Sequence, residues 1–506
     1  MPKKVLFGVI YMSTAKLELL IVNLRTHNVI ERVTSSNFVQ NTDKSKIYQD
    51  NIEKIIFAIT GFQQIMREYG VSRYVFAGSQ QLIDNITARY LSEQLFVRTG
   101  IKVQWLSTSQ LNYYRAIALL GHPNSFANIK EDNIYMLYIG SAAATLSKFK
   151  NKEFMQAWNI SLGYIEIDEL ENALRHSATD PAEIIDDYIR SKLHYLRDEL
   201  EMESSDSALV LQDMDAMNNA YLPIGKHIEP IHINEFNKTI SETLNASAQY
   251  ITNRFNIEDS QASRVVPGFL MSRQILKYTH ANALYLTRLN VWDGIAIQIA
   301  ANDGFLKQDF SRVILKSSEN IATRYIGDEG HRKITAKFAL HIFDQLRKLH
   351  RMGKRDRMLL EVASNIADIG NAISQHEHYH HSSYIMEANP LIGLSDTENR
   401  IIAEVARYHS AEVPDVVQHH YSNLDPAIQM PVAKLVAILR LADALDDSHQ
   451  QKVSRISISL RNEKVVITAF SSQDLALEKW AFKRKSELFY EVYGIKPELK
   501  QRRISE

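Results

Sequence analysis

Residues 133–150 read NIYMLYIGSAAATLSKFK: an apolar strand, a turn of small residues opening at Gly140, and a second strand. Residues 5–24, VLFGVIYMSTAKLELLIVNL, follow the same plan, with Ser13-Thr14-Ala15 as the turn. Each hairpin leads into further strand, at 29–35 and 154–160, and then into helical periodicity. In the first copy the pattern continues as a helix at 47–69, strands at 74–77 and 103–106, and helices at 80–99 and 109–120. In the second it continues as helices at 163–178 and 181–202, a strand at 208–212, a helix at 233–255 and a strand at 283–289. Strands alternating with helices twice over predict a duplicated α/β architecture with a cleft between its halves.

From about Gly304 the strand signal lapses. Helical patterns at 331–350, 355–369, 397–409 and 431–446 predict a separate all-α domain. A hairpin at 455–470 and a helix at 475–493 then form a small α+β segment. The expected units are 1–125, 126–303, 304–450 and 451–506.

Composition narrows the function classes. Across 506 residues the hydrophobic share is 45%, the charged share 23% and the formal net charge −1, so no global field draws the chain to nucleic acid or membrane. There are no cysteines, which excludes disulfides, thiolate ligands and cysteine nucleophiles and suits a reducing, cytoplasmic setting. The first residues read as a strand rather than a signal peptide, and no apolar run approaches the ~20 residues of a membrane span. Aromatic residues rarely interleave with the basic runs, which argues against nucleic acid as a partner.

Histidine is concentrated in the helical domain, where 11 of the chain's 18 lie between His331 and His449. His331, Asp368, His381, His409 and Asp443 follow the spacing of a helical metal-dependent phosphohydrolase core of the HD type. That site class places a His-Asp pair on one helix, giving adjacent nitrogen and oxygen ligands. Here the text is Asn365-Ile366-Ala367-Asp368-Ile369-Gly370, and an alanine methyl coordinates nothing. The candidate metal ligands are therefore His331, Asp368, His378, His381, His409 and Asp443, with His378 or His381 standing in for the missing histidine. The favoured expectation, because Ala367 leaves Asp368 without its adjacent partner, is a hydrogen-bonded polar core without metal.

The C-terminal segments Asp328-Glu329-Gly330-His331-Arg332, 363–370, His381-Ser382-Ser383-Tyr384-Ile385, 402–409, 439–446 and 478–494 closely resemble the exopolyphosphatase/guanosine pentaphosphate phosphohydrolase (Ppx/GppA) family. Tyr69-Gly70-Val71, Val266-Pro267-Gly268 and Trp292-Asp293-Gly294 are weaker matches. The resemblance implies an actin-like ATPase (ribonuclease-H-like) fold ahead of the helical domain. It also implies hydrolysis of terminal phosphoanhydrides of polyphosphate or pppGpp with Mg²⁺, by a homodimer.

The signature that carries that chemistry is degenerate here. The family's first hairpin reads Asp-Ile-Gly-Ser-Asn-Ser, and this chain has Tyr11-Met12-Ser13-Thr14-Ala15-Lys16. The second should read Asp-Ile-Gly-Gly-Gly-Ser-Thr-Glu, against Tyr138-Ile139-Gly140-Ser141-Ala142-Ala143-Ala144-Thr145. The general-base segment Ser-Gly-Glu-Glu-Glu-Ala corresponds to Ser107-Thr108-Ser109-Gln110-Leu111-Asn112, and the Thr-Ser-Ala-x-Arg segment to Gly78-Ser79-Gln80-Gln81-Leu82. Mg²⁺ catalysis needs carboxylates for the ion and a base for water. The expectation is a pseudoenzyme with no catalytic residue intact, in which Ser13, Thr14, Gly140, Ser141 and Thr145 remain as phosphate-binding candidates. The alternatives are an exopolyphosphatase with carboxylates re-formed elsewhere in the cleft, or a metal-dependent phosphohydrolase acting through the helical domain. Basic runs at 348–357 and 479–485 read as solvated helix faces or as an anion path.

Overall fold

The structure is a computed structural model describing residues 4–13, 16–36, 51–80, 85–123, 125–126, 129–174, 181–201, 206–244, 246–325, 328–415, 419–461 and 464–504. The expected helix over 47–50 and the turn residue Thr14 lie outside them, as do Gln81 and Leu82. The chain forms two compact units, Met1–Val313 and Ile314–Glu506.

The first unit contains two sheets built on one plan. Strands β1 (Leu6–Met12), β2 (Lys16–Asn23), β3 (Asn28–Ser36), β4 (Tyr74–Ser79) and β5 (Val103–Leu106) lie in the order β3-β2-β1-β4-β5. The second sheet uses β6 (Asn133–Ile139), β7 (Ala144–Lys150), β8 (Glu153–Ile160), β9 (Ser207–Gln212), β10 (Ile228–Ile231) and β11 (Ala283–Thr287). Taken from its β8 edge its order is β8-β7-β6-β9-β11, closed by β10. In both sheets three antiparallel strands come first and two parallel strands follow. This is the duplicated α/β arrangement that the paired hairpins predict. β9 is buried throughout, as a parallel strand covered on both faces must be, and its sequence SALVLQ is correspondingly almost uniformly apolar.

Several helices of this unit depart from the sequence reading. The helix expected at 233–255 is two, Ile233–Thr243 and Ala248–Phe255, because the Ser247 hydroxyl accepts from the Tyr250 amide at 3.2 Å and caps a new helix. Helices Val265–Tyr278 and Val291–Asn302 have no counterpart in the sequence reading. Both are buried around most of their circumference, so neither shows the polar face from which helical periodicity is read. Gly294 makes the second helix possible. A Cβ there would overlap the Tyr114 carbonyl of helix Thr108–Gly121, so only glycine lets these helices approach so closely.

In the second unit the principal helices are Glu329–Gln345, Lys354–Ile366, His378–Ala388, Asp396–Arg407 and Pro426–Asp443. Buried Phe338, Leu360, Ile402, Leu435 and Leu439 supply its core. The helix expected at 331–350 breaks at Leu346, and the one expected at 475–493 is split at Ser486. The last helix of the core begins five residues earlier than its apolar pattern predicts, where Asp425 caps it and Pro426 occupies its first turn. A three-stranded sheet closes the unit, with β12 (Arg455–Arg461) and β13 (Lys464–Ser471) as a hairpin. The third strand, β14 (Lys496–Arg503), runs parallel to β13. Its sequence KPELKQRR hides it from any apolar-alternation test, and helices Ala476–Lys485 and Glu487–Tyr493 provide the crossover that a parallel pair requires.

Candidate functional sites

The first unit's two hairpin turns, together with the end of β9, surround a cleft with a cavity of about 120 Å³. Three of the phosphate-binding candidates, Ser13, Gly140 and Ser141, line it. Ser13 also closes its own turn: its hydroxyl donates to the Lys16 carbonyl at 3.2 Å and accepts from the Lys16 amide at 3.1 Å. Thr145 is elsewhere. It is buried, and its hydroxyl donates to Asn112 at 3.1 Å in a network that joins Arg115 and Asn159.

Tyr11, Tyr138 and Leu111, which the resemblance sets against carboxylates of the family signature, have the following surroundings. Tyr11 is buried in an apolar cluster with Leu111, its ring 5.8 Å from that of Trp292. Leu111 is a core side chain, while Ser107 and Gln110 form the capping box that starts their helix. Arg115, only 6% exposed, stacks its guanidinium over Tyr138 at 3.5 Å. Burial drives the Tyr11 phenol far above its usual range, and the Arg115 charge opposes that rise. A fixed organic cation therefore stands beside the two tyrosines.

Charged residues that the sequence reading did not single out line the same cavity: Lys16, Glu18, Asp213, Asp215 and Arg264. Lys16 pairs with Asp215 at 3.2 Å, and Gln261 donates to the same carboxylate at 2.8 Å. Asp213 holds a left-handed backbone at φ 58°, uncommon for a residue with a side chain. Its carboxyl opens onto the cleft yet is crowded by protein. Burial first, then Asp215 and Glu18, raise it to about 7. One signal could have found this pair. Both aspartates directly follow the buried strand β9, and the carboxyl ends of sheet strands are where α/β proteins place ligand contacts.

The second unit carries a different constellation. Asp368 stands just beyond the end of helix Lys354–Ile366, His378 opens the next helix, and His409 follows helix Asp396–Arg407. Asp368 Oδ1 is 3.3 Å from both His378 Nε2 and His409 Nε2, and the two nitrogens are 3.3 Å apart. The far sides of both rings face backbone carbonyls, His409 Nδ1 at 2.6 Å from Ala406 and His378 Nδ1 at 3.4 Å from Gln375. His331 and Asp443 belong to an adjoining ion-paired cluster. His331 Nδ1 meets Asp446 at 3.0 Å, and its Nε2 meets Asp443 at 3.1 Å and Asp368 Oδ2 at 3.7 Å. Burial disfavours charge on His331, but its bonds to Asp443 and Asp446 prevail and raise it to about 10. Burial likewise opposes ionisation of Asp443, yet Lys485 and His331 hold it far below the usual carboxylate range. His381 is half-buried on the His378 helix and is not one of the three converging donors.

The basic runs resolve unevenly. Arg355 pairs with Glu398 at 2.6 Å and Arg357 with Asp344 at 2.9 Å, in keeping with a helix face balanced by acidic neighbours. Lys485 departs from that reading, because it is largely buried and bonds Asp443 and Asp447.

Residues 313–487 match the family model of the Ppx/GppA phosphatase, domain III. Over that segment the chain is similar to the Ppx/GppA family. Its helical unit carries that similarity, and it agrees with the segments in which the resemblance is strongest. Among solved structures, the Ppx/GppA family member of Aquifex aeolicus is 14% identical, with a TM-score of 0.49 over 60% of this chain and 99% of its own. An exopolyphosphatase from Cytophaga hutchinsonii is also 14% identical, with a TM-score of 0.49 over 59% of this chain and 98% of its own. No curated protein sequence matches the chain. Among the described residues, no helix is long and apolar enough to cross a membrane.

Proposed function

We propose that this Ppx/GppA-family chain binds a polyphosphate or guanosine-alarmone ligand in the cleft of its first unit with little or no hydrolysis, and acts as a regulatory protein of that metabolism. The observation that carries this reading is Arg115, whose guanidinium stacks on Tyr138 beside Tyr11, where the family signature has metal-holding carboxylates. A metal site of that kind needs anionic oxygen ligands, and here two neutral phenols stand beside an arginine whose charge repels a divalent cation. The same guanidinium, with Lys16 and Arg264, is suited to phosphate oxygens. If the family's Mg²⁺ binds here at all, Glu18, Asp213 and Asp215 are the residues to hold it, and it would supply charge neutralisation for phosphoryl transfer. Those three carboxylates favour a second reading, an exopolyphosphatase with a rearranged site.

Purified protein should bind long-chain polyphosphate or pppGpp in titration calorimetry while releasing phosphate at background rates with Mg²⁺ or Mn²⁺. Robust metal-dependent release that disappears with Asp213→Asn would establish the second reading instead. The helical unit is taken as an HD-type domain, the protein as cytoplasmic, and the assembly as a homodimer whose contacts come largely from the second unit. Light scattering at micromolar concentration should give twice the 58.0 kDa chain mass.

A further inference from the structure

We propose that Asp368, His378 and His409 form a mononuclear site for a divalent transition metal, bound through one carboxylate oxygen and two imidazole Nε2 atoms. The argument begins with what these groups do without a cation. Both imidazoles present Nδ1 to a backbone carbonyl, at 2.6 Å for His409 and 3.4 Å for His378. In the neutral tautomer that arrangement selects, Nδ1 carries the proton and Nε2 carries a lone pair. Two Nε2 atoms and a carboxylate oxygen converge within 3.3 Å of one another, and without a metal, protons on the imidazoles bridge them to Asp368. A metal ion satisfies all three at once, and carbonyl-bound Nδ1–H groups are the usual outer support of ligating histidines.

The scaffold holds these donors in place before any ion arrives. Ser382, fully buried one turn after His378, donates its hydroxyl to the Ala367 carbonyl at 2.6 Å and accepts from the Gly370 amide at 2.9 Å. It therefore clasps the backbone on both sides of Asp368 and fixes that carboxylate relative to the helix that carries His378. Gly370 completes the clasp, since a Cβ there would overlap the His378 carbonyl oxygen. The residue absent from the helical motif at Ala367 is thus supplied from the neighbouring helix. A set of two histidines and one carboxylate suits Zn²⁺, Mn²⁺, Fe²⁺, Co²⁺ or Ni²⁺ and leaves coordination positions open for water or a phosphate oxygen. A second group, Glu387, Glu404 and His420, serves as the internal control. There Arg400 already pairs with Glu387 at 2.9 Å and Glu404 at 2.7 Å, so its carboxylates have their cation.

The test uses the full chain, stripped with a chelator and titrated with Co²⁺ and with Zn²⁺. One equivalent should bind per chain, with Co²⁺ giving d–d absorption bands of a nitrogen/oxygen site and Zn²⁺ raising the melting temperature. His378→Gln should weaken binding by about 100-fold, while His420→Gln and His380→Gln leave it unchanged. His378 is half-buried, so the Gln variant should fold, and circular dichroism in chelator checks that it does. Binding below 0.2 equivalents by the folded parent, unaltered affinity in His378→Gln, or loss in His420→Gln would each overturn the proposal.

Discussion

The cleft of the first unit and the histidine cluster of the second have each lost residues of a recognisable motif, with opposite results. In the cleft, the space beside Tyr11 and Tyr138 holds Arg115, a cation fixed in covalent chemistry and buried by stacking. In the second unit the gap at Ala367 sits beside an aspartate that meets His378 and His409 from other elements. On the readings proposed above, a replaced ligand is filled in one unit by a group of opposite charge and in the other by an equivalent group from another helix. Motif text alone cannot distinguish the two, because both read as a missing residue.

Backbone replacement should give the largest effect. Gly370→Ala drives a methyl into the His378 carbonyl, so it should cost more than about 3 kcal/mol in urea unfolding and abolish metal binding together. Full stability with intact metal binding would separate the Asp368 turn from the His378 helix and break the proposed clasp. Next comes Lys485→Met, which leaves the nearly buried Asp443 with His331 as its principal cationic partner. A loss of about 3 kcal/mol is expected, largely restored by adding Asp443→Asn. A neutral single mutant would show that the ion pairs around His331 are dispensable.

The cleft side of the comparison is sharpened by putting carboxylates back. Tyr11→Asp with Tyr138→Asp should leave phosphate release within about tenfold of the parent, because Arg115 would pair with the new acids in place of a metal. A large Mg²⁺-dependent gain would show that the guanidinium is no obstacle. Arg264→Met should weaken polyphosphate binding about tenfold with little change in melting temperature, as expected for one charge-assisted contact from a half-buried side chain.

The smallest effect concerns pH. The Asp213 carboxyl is raised to about 7, so it is largely neutral at pH 6 and charged at pH 8. Polyphosphate affinity should fall several-fold across that interval as negative charge enters the cleft, and Asp213→Asn should flatten the profile. The linked stability has the same sign. It is fully present below the ordinary value of 3.8 and declines as pH climbs through about 7.

Much of this was legible in the chain itself. Paired hairpins around small-residue turns announced the duplication, and the helical unit was recognisable from 331 onward. Helices Val265–Tyr278 and Val291–Asn302 were not, because burial on nearly all sides removes the polar face that periodicity relies on. Strand β14 was hidden for the converse reason, its sequence being nearly all polar. In the cleft, Ser13, Gly140 and Ser141 were found by motif, whereas Arg115, Asp213 and Asp215 lie in no motif and meet the hairpin turns only across the cavity.

By itself, then, the sequence determined the duplicated hairpins, the helical character of the second unit and the residue types that stand at the motif positions, since these follow from local side-chain type and spacing. Only the tertiary structure decided what occupies the vacated positions. It placed Arg115 against Tyr138, paired His331 with Asp443 and Asp446 beside Asp368, and set His378 opposite Asp368 through Ser382. Distances of about 3 Å between residues tens of positions apart depend on how helices pack, and close packing of whole faces, not the neighbours of any one residue, settles that geometry.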